Sequence, residues 1–111
     1  MSALEIQNLT KSCNEILLLA ILSSGPRHGY QLALEIEEKS RGHFRFNHGT
    51  LYPILHKLEK DGLIKGSWTP GDGKRQRKSY SLTSKGQKEA RLLREAWRVF
   101  FEIFFNIVEE K

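Results

Sequence analysis

Cysteine is nearly missing from this chain of 111 residues: Cys13 stands alone, so no internal disulfide can form, and a reducing cytoplasm is the expected compartment. No stretch approaches the roughly 18 to 20 consecutive apolar residues of a membrane helix. Met1 to Leu9 lacks the basic flank and apolar run of a secretory signal, so no leader is expected there. Repeats and low-complexity linkers are missing too. The four histidines, His28, His43, His48 and His56, have no ligand spacing on one helix face, and a lone Cys13 makes no thiolate site; neither a metal nor a cofactor is expected. Gly71-Asp72-Gly73 has no helix immediately behind it and is too short to cradle a phosphate. Glu35, Glu37 and Glu38 form a solvated patch with nothing nearby to separate their pKa values into an acid and a base. These absences together predict that the protein is not an enzyme.

What is abundant is positive charge, and it is unevenly placed. The formal net charge is +5. Residues 1–64 balance seven basic against seven acidic side chains, and residues 99–111 hold Lys111 against Glu102, Glu109 and Glu110. The whole excess therefore lies in residues 65–98, where ten basic side chains face Asp72, Glu89 and Glu95. A local basic field of this kind attracts polyanions through counterion release. Arg91, Arg94 and Arg98 read as a solvated helix face, whereas Lys74, Arg75, Arg77 and Lys78 cluster at a glycine-rich turn and suggest a contact surface.

The length allows one compact domain with a modest core, so broad leftover apolar surface implies a partner chain. Ser12 and Glu15 form a capping-box pattern opening the apolar run Ile16 to Leu22, closed by Gly25 and Pro26. A second, amphipathic helix is expected from His28 or Tyr30 to Ser40, with Gly42 ending it in a left-handed turn. A third starts at Asn47, a good N-cap, and spaces Leu51, Ile54, Leu55 and Leu58 by threes and fours before Asp61 and Gly62. Leu63–Trp68 and Arg77–Leu82 are β-compatible runs around the turn residues 69–73. Thr83 or Ser84 then caps a helix that can run to about Val108. His28 and Gly29 serve the start of the second helix, and Tyr30 is expected in the core, with a phosphate contact as the lesser alternative.

Three short helices followed by a hairpin is the order of a winged helix-turn-helix, mainly α with a small β part. In that arrangement the third helix enters the DNA major groove and the hairpin reaches phosphates or the adjacent minor groove. Opposite its leucines, the third helix presents Gly49, Thr50, Tyr52, Pro53, His56, Lys57 and Lys60. Tyr52 and Pro53 are poor choices for a merely solvated face, because an aromatic favours burial and proline forfeits a backbone hydrogen bond.

The strings His28-Gly29-Tyr30, Gly49-Thr50-Leu51-Tyr52-Pro53, Leu58-Glu59-Lys60-Asp61-Gly62-Leu63-Ile64 and Tyr80-Ser81-Leu82-Thr83 with Gly86 resemble the PadR family of bacterial transcriptional regulators, over roughly residues 15–98. Ser79 departs from the pattern, since many relatives carry a second aromatic before the residue matching Tyr80. The resemblance implies a homodimeric repressor of double-stranded DNA, with recognition positions at Asn47, Gly49, Thr50, Tyr52, Pro53 and His56 and a basic wing at Lys74, Arg75, Arg77 and Lys78. It also resembles the short branch of that family, with a winged-helix unit over residues 1–83, including an N-terminal arm, and a C-terminal dimerisation helix over 84–111.

The last helix argues for dimerisation on its own pattern. Leu93, Trp97, Phe100, Phe104 and Ile107 are spaced four, three, four and three, which is a coiled-coil seam, and Phe101, Phe105 and Val108 form a stripe beside it. Eight of the ten residues from Val99 to Val108 are apolar, so this end needs cover on more than one side. Leu4, Ile6 and Leu9 are expected to add an arm, and Cys13 to be a small apolar filler nearby. Trp97 has two readings: it packs the seam, which is what an aromatic at helical spacing usually does, or, as in some short-branch relatives, it flanks with Phe100 a cavity for a small aromatic or hydrophobic effector. The competing class is a winged-helix protein-interaction module without an operator.

Overall fold

A computed structural model describes residues 3–70 and 76–109. Helix α1 (Ala3–Leu22) leads through a two-residue strand β1 (Arg27–His28) into α2 (Gly29–Lys39) and α3 (His48–Lys60). Strands β2 (Ile64–Pro70) and β3 (Gln76–Leu82) form a hairpin, and α4 (Ser84–Val108) ends the chain. The sheet is antiparallel in the order β1-β3-β2, with Ile64 opposite Leu82, Gly66 opposite Tyr80, Trp68 opposite Lys78, and Arg27 pairing with Tyr80 on the other edge of β3.

Helix α1 starts well before Ser12, so the capping-box reading of Ser12 and Glu15 is wrong and the expected arm is helix. The physical reason is that residues 3–11 contain neither glycine nor proline and are mostly good helix formers, so nothing local stops propagation toward the N-terminus. Gly25, at φ 136°, turns the chain out of the helix.

At the end of α2 the left-handed turn falls one residue earlier than expected, on Arg41 (φ 54°), with Gly42 (φ 82°) behind it. The Gly42 amide donates to the Glu37 carbonyl (2.8 Å) and the Arg41 amide to Glu38 (3.1 Å), the paired bonds of a Schellman cap. Helix α3 closes the same way on Gly62 (φ 76°), where Leu63 N–H reaches the Leu58 carbonyl at 3.0 Å. Here the glycine is where the left-handed residue must be.

The core gathers Leu18, Leu19 and Leu22 of α1, Leu32 and Ile36 of α2, Leu51, Leu55 and Leu58 of α3, Ile64 of β2, Tyr80 of β3 and Ala90 of α4. Tyr30 is not among them: it is 42% exposed, and Tyr80 is the tyrosine that packs inside. Helix α4 joins this core only through its first half. Thr83 caps it by accepting from the Gly86 amide (3.0 Å) and donates to the Gly62 carbonyl (2.6 Å), while Lys85 Nζ donates to the Asp61 carbonyl (2.8 Å). A Cβ on Gly86 would stand 1.8 Å from the Leu63 carbonyl oxygen, so the close approach of α4 to the α3–β2 junction needs a glycine there. Beyond Trp97 every described side chain of α4 is exposed.

Candidate nucleic-acid interface

Helix α3 is strongly two-faced. Leu51, Leu55 and Leu58 are buried, and Gly49, Tyr52, Pro53, His56, Lys57 and Lys60 are exposed, with Thr50 half-buried. The start of the helix is fixed by Asn47, whose Oδ1 accepts from the Thr50 amide at 2.9 Å, leaving its amide nitrogen as the group able to reach outward. Pro53 removes the N–H that would bond the Gly49 carbonyl, and Gly49 adds no side chain, so this turn offers bare backbone to the outside. The Tyr52 ring lies against the start of α2: a Cβ on Gly29 would come within 3.1 Å of the Tyr52 hydroxyl. Lys57 is ion-paired with Glu15 of α1, and that carboxylate, through its hydrogen bond, raises the ammonium above its usual range.

The hairpin stands beside this face. Arg77 Nη1 donates to the Tyr30 hydroxyl at 2.9 Å, with the guanidinium carbon 5.2 Å from the Tyr30 ring centroid. Lys78 Nζ donates to Glu59 Oε1, also at 2.9 Å, and the hydrogen bond holds its pKa above the ordinary lysine value against the opposing effect of burial. Lys74 and Arg75 lie outside the described residues. Between the hairpin and the starts of α2 and α3 a cleft of about 410 Å³ is lined by His28, Tyr30, Tyr52, Trp68, Arg77 and Tyr80, with Lys78 at its wall. Sequence reasoning found neither the Tyr30–Arg77 contact nor the Lys78–Glu59 pair. The signal that could have pointed to the second is Gly66, a glycine inside a strand pattern, which commonly marks a close approach.

Along α4, Leu93 packs on the core and Trp97 is half-buried, while Phe100, Phe101, Phe104, Phe105, Ile107 and Val108 are all exposed. Their rings touch one another, Trp97 to Phe100 at 5.8 Å, Phe100 to Phe104 at 6.3 Å and Phe104 to Phe105 at 5.2 Å between centroids. Trp97 and Phe100 sit together edge to face, with an interplanar angle of 76°. Among the described residues no group of histidine, cysteine, aspartate or glutamate side chains could hold a metal, and no helix is long and apolar enough to cross a membrane.

Three helices, a third helix with one exposed polar face and a hairpin alongside it define a winged helix-turn-helix protein. The family is more specific than the fold. Residues 18–92 match the Transcriptional regulator PadR-like family, and the chain belongs to it. It is similar to the negative transcriptional regulator PadR of Bacillus subtilis, 31% identical over 72 residues that make up 65% of this chain and 40% of that protein. A PadR family transcriptional regulator from Eggerthella lenta superposes with a TM-score of 0.83 at 26% identity, over 96% of this chain and 91% of that one. The structure of Bacillus subtilis PadR in complex with operator DNA is also similar, with a TM-score of 0.64 at 28% identity, over 69% of this chain and 44% of that one. The chain is therefore a PadR-like transcriptional regulator, a family that does no enzymatic chemistry.

Proposed function

We propose that the protein is a homodimeric repressor that binds a near-palindromic DNA operator from within the cytoplasm. The observation that carries this reading is the exposed face of α3, where Gly49, Tyr52, Pro53 and His56 stand clear of the core beside the hairpin. Asn47, Thr50, Tyr52 and His56 read base edges, and Gly49 and Pro53 let the helix start approach the backbone. Lys74, Arg75 and Arg77 supply phosphate or minor-groove affinity. The relative solved with operator DNA and the relative named a negative regulator both support this direction.

The dimer rests on α4. A row of exposed phenylalanines on one helix is more apolar surface than a monomer of this size ordinarily leaves in water. Leu93, Trp97, Phe100, Phe101, Phe104, Phe105, Ile107 and Val108 pack against a second copy, residues 84–111 serve as the dimerisation helix, and residues 1–83 form the reading unit. An effector site for a small planar aromatic or hydrophobic compound, with Trp97 and Phe100 at its wall, forms only between the two copies.

Selection of bound duplexes from a random-sequence library tests the whole reading. The expected product is an inverted repeat whose half-sites are centred about 10 bp apart or a multiple of it. Recovery of no sequence, with no binding to duplex at about 50 mM salt, would refute DNA binding and favour a protein-interaction module.

A further inference from the structure

Lys78 faces Trp68 across the hairpin, two residues before the buried Tyr80. Its ammonium lies 5.9 Å from the Trp68 ring centroid and 5.4 Å from that of Tyr80. Its stem crosses β2 at Gly66, where a Cβ would come within 2.2 Å of Lys78 Cε and 3.2 Å of both Cδ and Nζ. The chain of methylenes thus runs in a channel that exists because residue 66 has no side chain. It ends on Glu59, in the last turn of α3, and the side chains of the pair are only 29% and 32% exposed.

A cation so placed has its charge answered inside the protein. A lysine that binds DNA releases counterions because its charge is offered to phosphate, at about 0.9 of a unit of salt slope per contact. Lys78 has a carboxylate in that place. The pair also joins the two elements that the reading above sets against DNA, the hairpin and the reading helix, across nineteen residues of sequence.

We propose that Lys78 is a positioning residue, not a phosphate ligand: with Glu59 it forms a strut, threaded over Gly66, that sets the angle of the wing to helix α3. This rests on the DNA-binding reading, and the two fail differently. The probe is the duplex recovered by library selection, titrated by fluorescence anisotropy between 50 and 200 mM salt, with thermal melts to show that each variant is folded. Glu59→Gln removes a negative charge near the DNA, so plain electrostatics would tighten binding; the strut instead weakens it, by about twofold to fivefold. Lys78→Gln weakens it to the same extent with the salt slope unchanged, and the double variant is no worse than either single one. Gly66→Ala reproduces the loss, and the exchange Glu59→Lys with Lys78→Glu restores most of the affinity.

Tighter or equal binding by Glu59→Gln, a slope lowered by about 0.9 in Lys78→Gln, or unchanged affinity in Gly66→Ala would each overturn the strut while leaving DNA binding intact. A wild-type protein that ignores duplexes would instead remove the reading on which the strut stands.

Discussion

Replacing Gly86 by alanine sets two physical effects against each other, and the structure says which one wins. On helix propensity alone the change should stabilise α4 by about 1 kcal/mol. The added Cβ, however, would stand 1.8 Å from the Leu63 carbonyl oxygen, 2.9 Å from its carbon and 3.2 Å from Leu82 Cδ2. The first two are backbone atoms held by the α3 cap and the Thr83 N–H to Leu63 carbonyl bond (3.1 Å), so no flexible side chain can swing away. Helix α4 must back off the junction, loosening the Thr83 cap and the cover over Ala90. Overpacking of this kind costs about 1–3 kcal/mol, and the severity of the clash puts it at the upper end. Net of propensity, a loss of about 2 kcal/mol is expected, or a fall in Tm of about 10 °C. Urea and thermal unfolding followed by circular dichroism at one fixed protein concentration measure it. Gly49→Ala is the internal control: its Cβ would meet only Asn47 Oδ1, at an ordinary 3.4 Å, so that variant should hold or gain stability. A Gly86→Ala protein as stable as wild type would mean that α4 does not press on the Leu63 carbonyl.

Arg41→Gly should stabilise the fold by about 0.5–1 kcal/mol, because a residue with a Cβ now occupies the left-handed end of α2; denaturant midpoints decide the sign. Phe104→Glu should turn the proposed dimer into a monomer at micromolar concentration in sedimentation, since the seam loses a phenylalanine's apolar contact and would also have to bury a carboxylate; an unchanged dimer would move the interface elsewhere. The hydrogen bond from Arg27 holds the Glu35 carboxyl below its ordinary value, partly opposed by burial, so this pair stabilises the folded state above the ordinary glutamate range and the contribution is lost as pH falls through the lowered value. The stability gap between wild type and Glu35→Gln should therefore close as pH is taken from about 6 to about 3; a gap that widened would reverse the assignment.

Helix α3 was legible from residue types because all its information is local: an N-cap three residues before the amide it binds, leucines at helical period, a glycine where the chain turns left-handed. Helix α4 was legible for the same reason. Strand β1 was not, since two residues carry no period and Arg27 and His28 become strand only by pairing with Ser79 and Tyr80 of the distant β3. Tyr30 and Tyr80 could not be told apart by type; which one is buried depends on the sheet, and the exposed one acquires Arg77 from 47 residues away. The basic hairpin was visible as charge, but the partners of Lys57 and Lys78 lie 42 and 19 residues off, and no spacing rule points to them.

The junction at Gly62 and Leu63 behaves as a mechanical joint. The end of α3 and the beginning of α4 share the same few carbonyls, with Thr83 and Lys85 gripping one side and Gly86 pressed against the other. Helix α4 has 25 residues and so is about 37 Å long, which makes it a lever with its fulcrum at the foot of α3. A tilt of about 5° at that fulcrum carries the far tip about 3 Å, and any force that repositions the tips is returned to the foot of α3 as torque.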